Sequence, residues 1–559
     1  MKIKYLYILF LFIIWGCANR IQPTGGPKDE DPPLLLESIP KDGQRNFQNQ
    51  EIQLTFNEFI DVKSIKEQLI ITPRIDGEYE YSIKKKTIFL KFEDPFNDST
   101  TYTLNFREGL VDITEKNPAE NLQIAFSTGN LLDTLEISGH LLDLSTRKPI
   151  SKATVGIYSV DDTLDIFTGP PYYFAKTDKE GNYRFKNIKD GQYRIYAFDD
   201  SNKNLTCQSD REAYSFLPQL LELDTTIVAD TLEQQFLNID TLEILRTRSS
   251  GRYFMMIANK YLMKADLKAE NDSTLHYKFD DERKGLKIYK SFEIPDSLKI
   301  FATVEDSLGF IAQDTFYLKF PESSRKADEF NAEVQNLNSS LISKKITGEI
   351  KFDKPLKNLY LDSISIKIDT LQQFFVYDSM TYKLDTAENS ISFEIDIPKP
   401  ILDSLNKKQE KKTPGRGGRG SVKSVSKYML DFPLASFLSI EDDSSEHISS
   451  DLKFNKPSTL GLLKGSINTE HKSFFIQLLD KNFKVVKEQL NGKSYTFKEV
   501  RPGEYLVRIL VDENENGKWD IANILENKPA EKVILYTDPD GNSKTAIRAN
   551  WEITLDLSF

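Results

Sequence analysis

The sequence contains few of the residues on which enzymes and metal proteins commonly depend. Of its 559 residues only two are cysteine and four are histidine. Two cysteines exclude a disulfide framework, so we expect the stability to come from apolar cores. The histidines His140, His276, His447 and His471 stand far apart and do not predict a zinc site.

The chain carries more negative than positive charge, and common catalytic motifs are missing from it. The chain has 73 Lys and Arg against 85 Asp and Glu, and the resulting net charge of -12 disfavours nucleic acid as a partner. We find no Gly-x-Ser-x-Gly elbow, no phosphate-binding Gly-Lys loop and no His-Glu-x-x-His. A glycosidase pair stays open, because nothing in the sequence selects two of its many carboxylates. The sequence therefore predicts a protein that is not an enzyme, with no catalytic residue and no required cofactor.

The longest apolar run is confined to the N-terminus. Lys2 and Lys4 precede the apolar run 5–15, which is followed by Gly16 and Cys17. The run is shorter than the roughly 20 residues of a membrane-spanning helix, and the pattern indicates a secretion signal. The residues Ile14-Trp15-Gly16-Cys17 resemble the lipobox of bacterial lipoproteins. This resemblance implies a signal peptide at 1–16 and lipidation of Cys17. The alternative is an ordinary secretory leader with an incidental cysteine.

The segment after Cys17 predicts a lipidated tether over 17–32, since it is rich in proline and glycine among charges. Acyl chains on Cys17 would hold the chain on a membrane. By resemblance to lipoprotein sorting rules, Ala18 implies the outer membrane. The absence of acidic residues over 18–21 favours the periplasmic face over the cell surface.

The rest of the chain consists of short runs in which apolar and polar residues alternate. The chain has 36 Phe and 24 Tyr, and few stretches show a helical period. Such runs predict strands with one buried face, and their number predicts an all-β chain of tandem sandwiches.

Residues 33–129 are expected to form the first sandwich. Three rows of alternating residues predict inward-facing strands: Ile52, Leu54 and Phe56; Tyr102, Leu104 and Phe106; Leu122, Ile124 and Phe126. Together with Pro40 to Gly43, Gly109 to Asp112 and Phe126 to Gly129, these residues resemble the SbsA-type bacterial Ig-like family. An Ig-like domain is therefore expected here.

Residues 135–228 and 457–559 are expected to be two copies of one sandwich. Tyr183, Gly191 and Asp200 have the same mutual spacing as Tyr495, Gly503 and Asp512. The first copy resembles the carboxypeptidase-regulatory-like, prealbumin-like group through Ile137 to Gly139, Pro149 to Val155, Thr177 to Phe185 and Gly191 to Tyr193. Alternating runs predict two further sandwiches at 240–320 and 341–455. A disordered basic loop is predicted at 406–427, around the Gly-Arg-Gly run.

One loop has the oxygen-ligand spacing of a calcium site. Asp512, Asn514, Asn516 and Asp520 alternate around Gly517, although Asn523 stands where such loops carry a bidentate glutamate. These four residues predict a structural calcium site. Asx turns that need no ion are the alternative.

The closing stretch, 516–552, looks like the C-terminal part of Ig-like lipoproteins common in Bacteroidetes. The whole pattern predicts a non-catalytic, lipid-anchored component of the cell envelope. We expect it to act as a modular binding or scaffold protein, with an envelope protein such as an outer-membrane β-barrel as partner. A glycan-binding or adhesive surface lipoprotein is the alternative function.

Overall fold

The computed structural model describes residues 31–75, 77–119, 122–294, 296–368, 372–410 and 427–559, with backbone alone over 406–410. The predicted signal peptide at 1–16, Cys17 and the predicted tether up to residue 30 lie outside the described residues. Within these ranges the chain is built almost wholly of strands, which confirms the predicted all-β fold of tandem domains. Five separate apolar cores occur in the described part of the chain.

The first sandwich spans residues 34–129. Its elements are β1 Leu35–Ile39, β2 Glu51–Phe56, β3 Ile60–Val62, helix α1 Ile65–Gln68, β4 Ile70–Thr72, β5 Tyr79–Lys84, β6 Thr87–Phe92, β7 Thr101–Asn105, β8 Leu110–Asp112 and β9 Gln123–Ser127. The sheets have the orders β1-β2-β6-β5 and β4-β7-β9, and β3 pairs with β8. All three predicted rows point into the core, where Leu54, Phe56 and Leu104 are fully buried.

The second sandwich extends to residue 234, beyond the predicted end at 228, because a further strand closes its core. Its strands are β10 Leu135–Asp143, β11 Thr154–Ser159, β12 Tyr173–Lys176, β13 Asn182–Ile188, β14 Gly191–Phe198, β15 Tyr214–Phe216, β16 Leu221–Leu223, β17 Ile227–Val228 and β18 Leu232–Gln234. The sheet orders are β13-β10-β17 and β12-β11-β14-β15. In addition, β18 pairs with β10 and β16 pairs with β14.

The third and fourth sandwiches occupy residues 242–320 and 330–455. The third has strands β19 Ile244–Ser250, β20 Tyr253–Ala258, β21 Leu262–Ala269, β22 His276–Phe279, β23 Gly285–Tyr289, β24 Leu298–Asp306 and β25 Ile311–Leu318. The fourth has β26 Ala332–Ser340, β27 Lys345–Phe352, β28 Leu356–Leu359, β29 Ser365–Ile368, β30 Gln372–Phe375, β31 Met380–Asp385, β32 Ser390–Asp396, β33 Tyr428–Phe432, β34 Phe437–Ser439, β35 Ile448–Leu452 and β36 Phe454–Asn455. The fourth sandwich begins before the predicted residue 341, because β26 pairs with β27 and belongs to its sheet.

Helix α2, Lys399–Glu410, corrects part of the predicted disordered loop at 406–427. It follows Pro398, and the buried Ile401 ties it to the fourth core. Residues 411–426 lie outside the described residues. One-turn 3-10 helices occur at Tyr377–Ser379, Pro457–Thr459 and Ile524–Glu526.

The fifth sandwich repeats the second strand for strand, as the spacing of its tyrosines and glycines predicted. Its strands are β37 Gly461–Asn468, β38 Phe474–Leu479, β39 Val485–Leu490, β40 Ser494–Val500, β41 Gly503–Val511, β42 Val533–Leu535, β43 Lys544–Ile547, β44 Glu552–Thr554 and β45 Leu557–Ser558. Its sheets have the orders β40-β37-β44 and β39-β38-β41-β42, with β45 on β37 and β43 on β41.

The chain divides into two compact units. One holds the described residues up to Leu142 together with Pro149–Gln208 and Glu212–Gln234. The other holds Asp143–Lys148, Ser209–Arg211 and Gln235–Phe559. No helix of the described residues combines the length and apolar character needed to cross a bilayer.

Candidate functional site

The four predicted calcium ligands do come together, in the loop that follows β41. Asp512 is only 2% exposed, and its carboxylate accepts the backbone N–H groups of Asn516 (3.1 Å) and Gly517 (2.8 Å) and the hydroxyl of Ser473 (2.7 Å). Burial opposes ionisation of this carboxyl, but these hydrogen bonds outweigh it and hold its pKa below the usual range. Asp512 is therefore ionised, and its carboxylate holds the start of the loop in place.

The other three residues meet at the carboxylate of Asp520. Its Oδ2 accepts the side-chain amides of Asn514 (2.6 Å) and Asn516 (3.0 Å) and lies 3.2 Å from Nζ of Lys528. Calcium would need both amides rotated, so that their oxygens face the ion, and would compete with the ammonium group of Lys528. No group of three or more Asp, Glu, His or Cys in the described part of the chain could hold a metal ion. The calcium site stays a prediction.

The sequence pattern did not predict Glu531, which stabilises this loop from inside through hydrogen bonds. Glu531 is 4% exposed, and its carboxylate accepts the backbone N–H groups of Glu513 (2.9 Å), Asn514 (3.2 Å) and Asp520 (2.7 Å). A single buried carboxylate thus ties both ends of the loop together.

The equivalent loop of the second sandwich has the same design. Glu212 is 2% exposed and accepts the backbone N–H groups of Ser201 and Gln208, both at 2.9 Å. Asp200 accepts from Leu205 N and Thr154 Oγ1 and lies 3.2 Å from Nζ of Lys176. Glu212 and Glu531 both stand two residues before the next strand, and comparison of the two copies could have revealed this signal.

Cys207 is buried within this loop of the second sandwich. Cys207 donates its backbone N–H to the carbonyl of Ile166 at 2.6 Å, and its thiol lies 4.0 Å from the carbonyl oxygen of Glu212. Cys207 therefore packs as part of the loop.

A second feature of the second sandwich is a set of contacts with the first sandwich. We call the residues Tyr172, Asn187 and Lys203 its docking face. The carbonyl of Tyr172, beside the terminal strand β12, accepts the backbone N–H of Arg74 at 2.9 Å. Lys203, in the loop after β14, pairs with Glu67 of helix α1 at 2.6 Å.

Asn187 is the central residue of the docking face. Its Oδ1 accepts from the hydroxyl of Thr103 at 3.3 Å, and its Nδ2 donates to the carbonyl of Asp133 at 2.8 Å. Asp133 belongs to the connection between the two sandwiches, and its backbone N–H donates to Thr101 Oγ1 at 2.9 Å. The docking face therefore holds a whole neighbouring β-domain through backbone and side-chain bonds.

Comparison with solved structures gives alignments of low similarity. They include the Bacillus anthracis TIE protein (10% identity, 96% of this chain and 76% of that chain, TM-score 0.13) and BcpA*(D312A), the major pilin subunit of Bacillus cereus (10% identity, 76% and 99%, TM-score 0.11). They also include the N-terminal part of the bacterial S-layer protein SbsC (16% identity, 30% and 40%, TM-score 0.14). TM-scores of this size support no inference about this chain.

The first sandwich matches a known domain family. No curated protein matches the chain. Residues 29–128 match the family model of a bacterial Ig-like domain, as the resemblance of residues 33–129 predicted. The first sandwich, with its two facing sheets and shared core, is therefore a bacterial Ig-like domain.

Proposed function

We propose that this chain is a non-catalytic, lipid-anchored protein of the cell envelope that works as a binding or scaffold component of an outer-membrane protein assembly. The observation that carries this proposal is the docking face, at which one module of the chain holds a neighbouring Ig-like domain. A chain built of such modules offers many sheet edges and loops for protein contacts. The predicted signal peptide ending before Cys17 supports the membrane anchor, and the absence of acidic residues over 18–21 supports the periplasmic face.

Lipidation can be tested with a control that the chain itself supplies. Cys17 and Cys207 are its only two cysteines. An alkyne fatty acid should label the wild type and Cys207→Ser, and both should sediment with membranes. Cys17→Ser should lose the label and the membrane fraction. Equal labelling of Cys17→Ser and the wild type would contradict the anchor.

The scaffold role is tested by crosslinking the full chain on intact cells, followed by mass spectrometry. We expect crosslinks to envelope proteins, among them an outer-membrane β-barrel. Protease treatment of intact cells should leave the chain uncut if it faces the periplasm. Crosslinks confined to the chain itself would contradict a scaffold.

A second candidate function, glycan binding, is favoured by a polar cleft between the third and fourth sandwiches. The cleft has a volume of about 550 Å³, and its lining includes Lys278, Asp281 and Lys351. These three side chains make no hydrogen bond or ion pair with other residues in the described ranges, so they are available to a hydroxyl-rich ligand. Saturable binding on a glycan array that Lys351→Ala weakens would support this function, and equal binding by wild type and variant would contradict it.

A further inference from the structure

The second and fifth sandwiches can be compared position by position. Asn187 stands four residues after Tyr183, and Glu499 stands four residues after Tyr495. Lys203 stands three residues after Asp200, and Glu515 three residues after Asp512. Each pair also shares an unusual left-handed backbone, with φ values of 58° and 57° for the first pair and 62° and 58° for the second. Asn187 is therefore structurally equivalent to Glu499, and Lys203 is structurally equivalent to Glu515.

The terminal strands β12 and β39 are equivalent as well. β12 lies outside β11, and β39 lies outside β38, in sheets of the same strand order. In the second sandwich this edge is next to Arg74 of the Ig-like domain, which donates to Tyr172. The docking face thus has a counterpart in the fifth sandwich, formed by β39, Glu499 and Glu515.

This counterpart is open to solvent. Val485, Val486 and Leu490 on β39 are 41%, 45% and 56% exposed. An edge strand with exposed apolar side chains leaves backbone groups free to pair with another strand. Within the described residues, the side chain of Glu499 makes no hydrogen bond or ion pair, and Glu515 has only the exposed Lys472 at 3.3 Å.

The charge of the face differs between the two copies. The second sandwich presents a neutral amide at Asn187 and a cation at Lys203, and Lys203 meets Glu67 of the docked domain. The fifth sandwich presents carboxylates at both positions. An occupant would therefore need basic side chains where the Ig-like domain carries Glu67 and Thr103.

We propose that β39, Glu499 and Glu515 form a docking face for a separate protein, which adds the edge strand of a β-domain carrying Lys or Arg at its two flanks. The partner's strand runs beside β39, which among the described strands pairs only with β38 at its other edge. Its apolar side chains cover Val486 and Leu490, and its basic side chains pair with the two glutamates. This inference rests on the proposed scaffold function and assigns one of its contact surfaces.

The test places the photocrosslinker p-benzoylphenylalanine at position 486 of the full chain in its native host. The control places it at position 311, because Ile311 is also an exposed apolar residue on a terminal strand, β25. We expect position 486 to capture a separate protein through an extended segment that contains Lys or Arg. The double variant Glu499→Lys with Glu515→Lys should lower the yield about tenfold, because like charges then face each other.

A matched charge control is Glu526→Lys with Asp540→Lys, which alters two exposed carboxylates of the same sandwich outside the face. This variant should keep the yield, and tryptophan fluorescence should show that both variants are folded.

The inference is overturned if position 486 captures nothing, captures a second copy of this chain, or captures a protein equally well in the Glu499 and Glu515 variant. If position 486 fails but position 311 and sites on other sandwiches capture envelope proteins, the scaffold function still holds. If none of these positions captures an envelope protein, the scaffold function fails as well.

Discussion

The indole N–H of Trp519 donates to the backbone carbonyl of Glu531 at 2.9 Å, while the side chain of Glu531 accepts the N–H of Asp520. Trp519 thereby reports on the braced loop of the fifth sandwich. The chain has three tryptophans, and Trp15 belongs to the predicted signal peptide, so a chain cleaved before Cys17 would fluoresce from Trp519 and Trp551. Both lie in the fifth sandwich, which makes its unfolding measurable within the full chain.

The buried carboxylate of Glu531 should contribute strongly to the stability of the fifth sandwich. Glu531→Gln places an amide N–H where a backbone N–H needs an acceptor, and we expect it to lower the free energy of unfolding by about 1–3 kcal/mol. The measurement is urea unfolding followed by tryptophan fluorescence. Glu526→Gln, at an exposed position, is the control and should be neutral. An unchanged midpoint for Glu531→Gln would show that the loop does not depend on this carboxylate.

Asp512 should make the fifth sandwich sensitive to acid. Its pKa in the folded chain lies below the ordinary 3.8, so the carboxylate stabilises the fold above that pH and this contribution is lost as the pH falls through the lowered pKa. Asp512→Asn should therefore be less stable than the wild type at pH 7, and the difference should shrink as the pH falls below about 4. Tryptophan-detected unfolding at a series of pH values measures this difference, and a gap that is constant with pH would refute it.

Asn187 should hold the first two sandwiches together. Asn187→Ala removes the bonds to Thr103 and Asp133, and we expect amide hydrogen exchange in β7 and β13 to become about tenfold faster. The control is Glu499→Ala, because Glu499 has the same left-handed backbone conformation as Asn187 but lacks these hydrogen-bond partners. It should leave exchange in β40 nearly unchanged. Equal effects at both positions would mean that backbone conformation, and not the contact, accounts for the change.

Calcium should stabilise the fifth sandwich if Asp512, Asn514, Asn516 and Asp520 bind it. A ligand that binds only the folded state raises the unfolding midpoint with its concentration. Asp520→Asn should abolish this rise, while Asp540→Asn should keep it. Lys528→Ala should strengthen it, because the ammonium 3.2 Å from Asp520 no longer competes. No shift at millimolar calcium, compared with chelator, would leave these residues as Asx turns.

Much of the fold could be read from local pattern. Alternation placed Leu54, Leu104 and Ile124 on the buried face, and the shared spacing of tyrosine, glycine and aspartate identified the repeat. The sequence pattern did not predict Glu212 and Glu531, because they lie at different distances from Asp200 and Asp512 and share only their position two residues before the next strand. Helix α2 was missed over 406–410 because its charged C-terminal part has no apolar period.

Local pattern was enough to predict that this protein is a series of β-modules, because a two-residue period decides which side chains can share a core. The same pattern indicated that two of these modules are copies. That β12 meets the Ig-like domain while β39 is exposed becomes visible only in the folded chain. Both edges belong to the same kind of strand, and their difference depends on contacts with residues far away in sequence, such as Arg74 and Thr103.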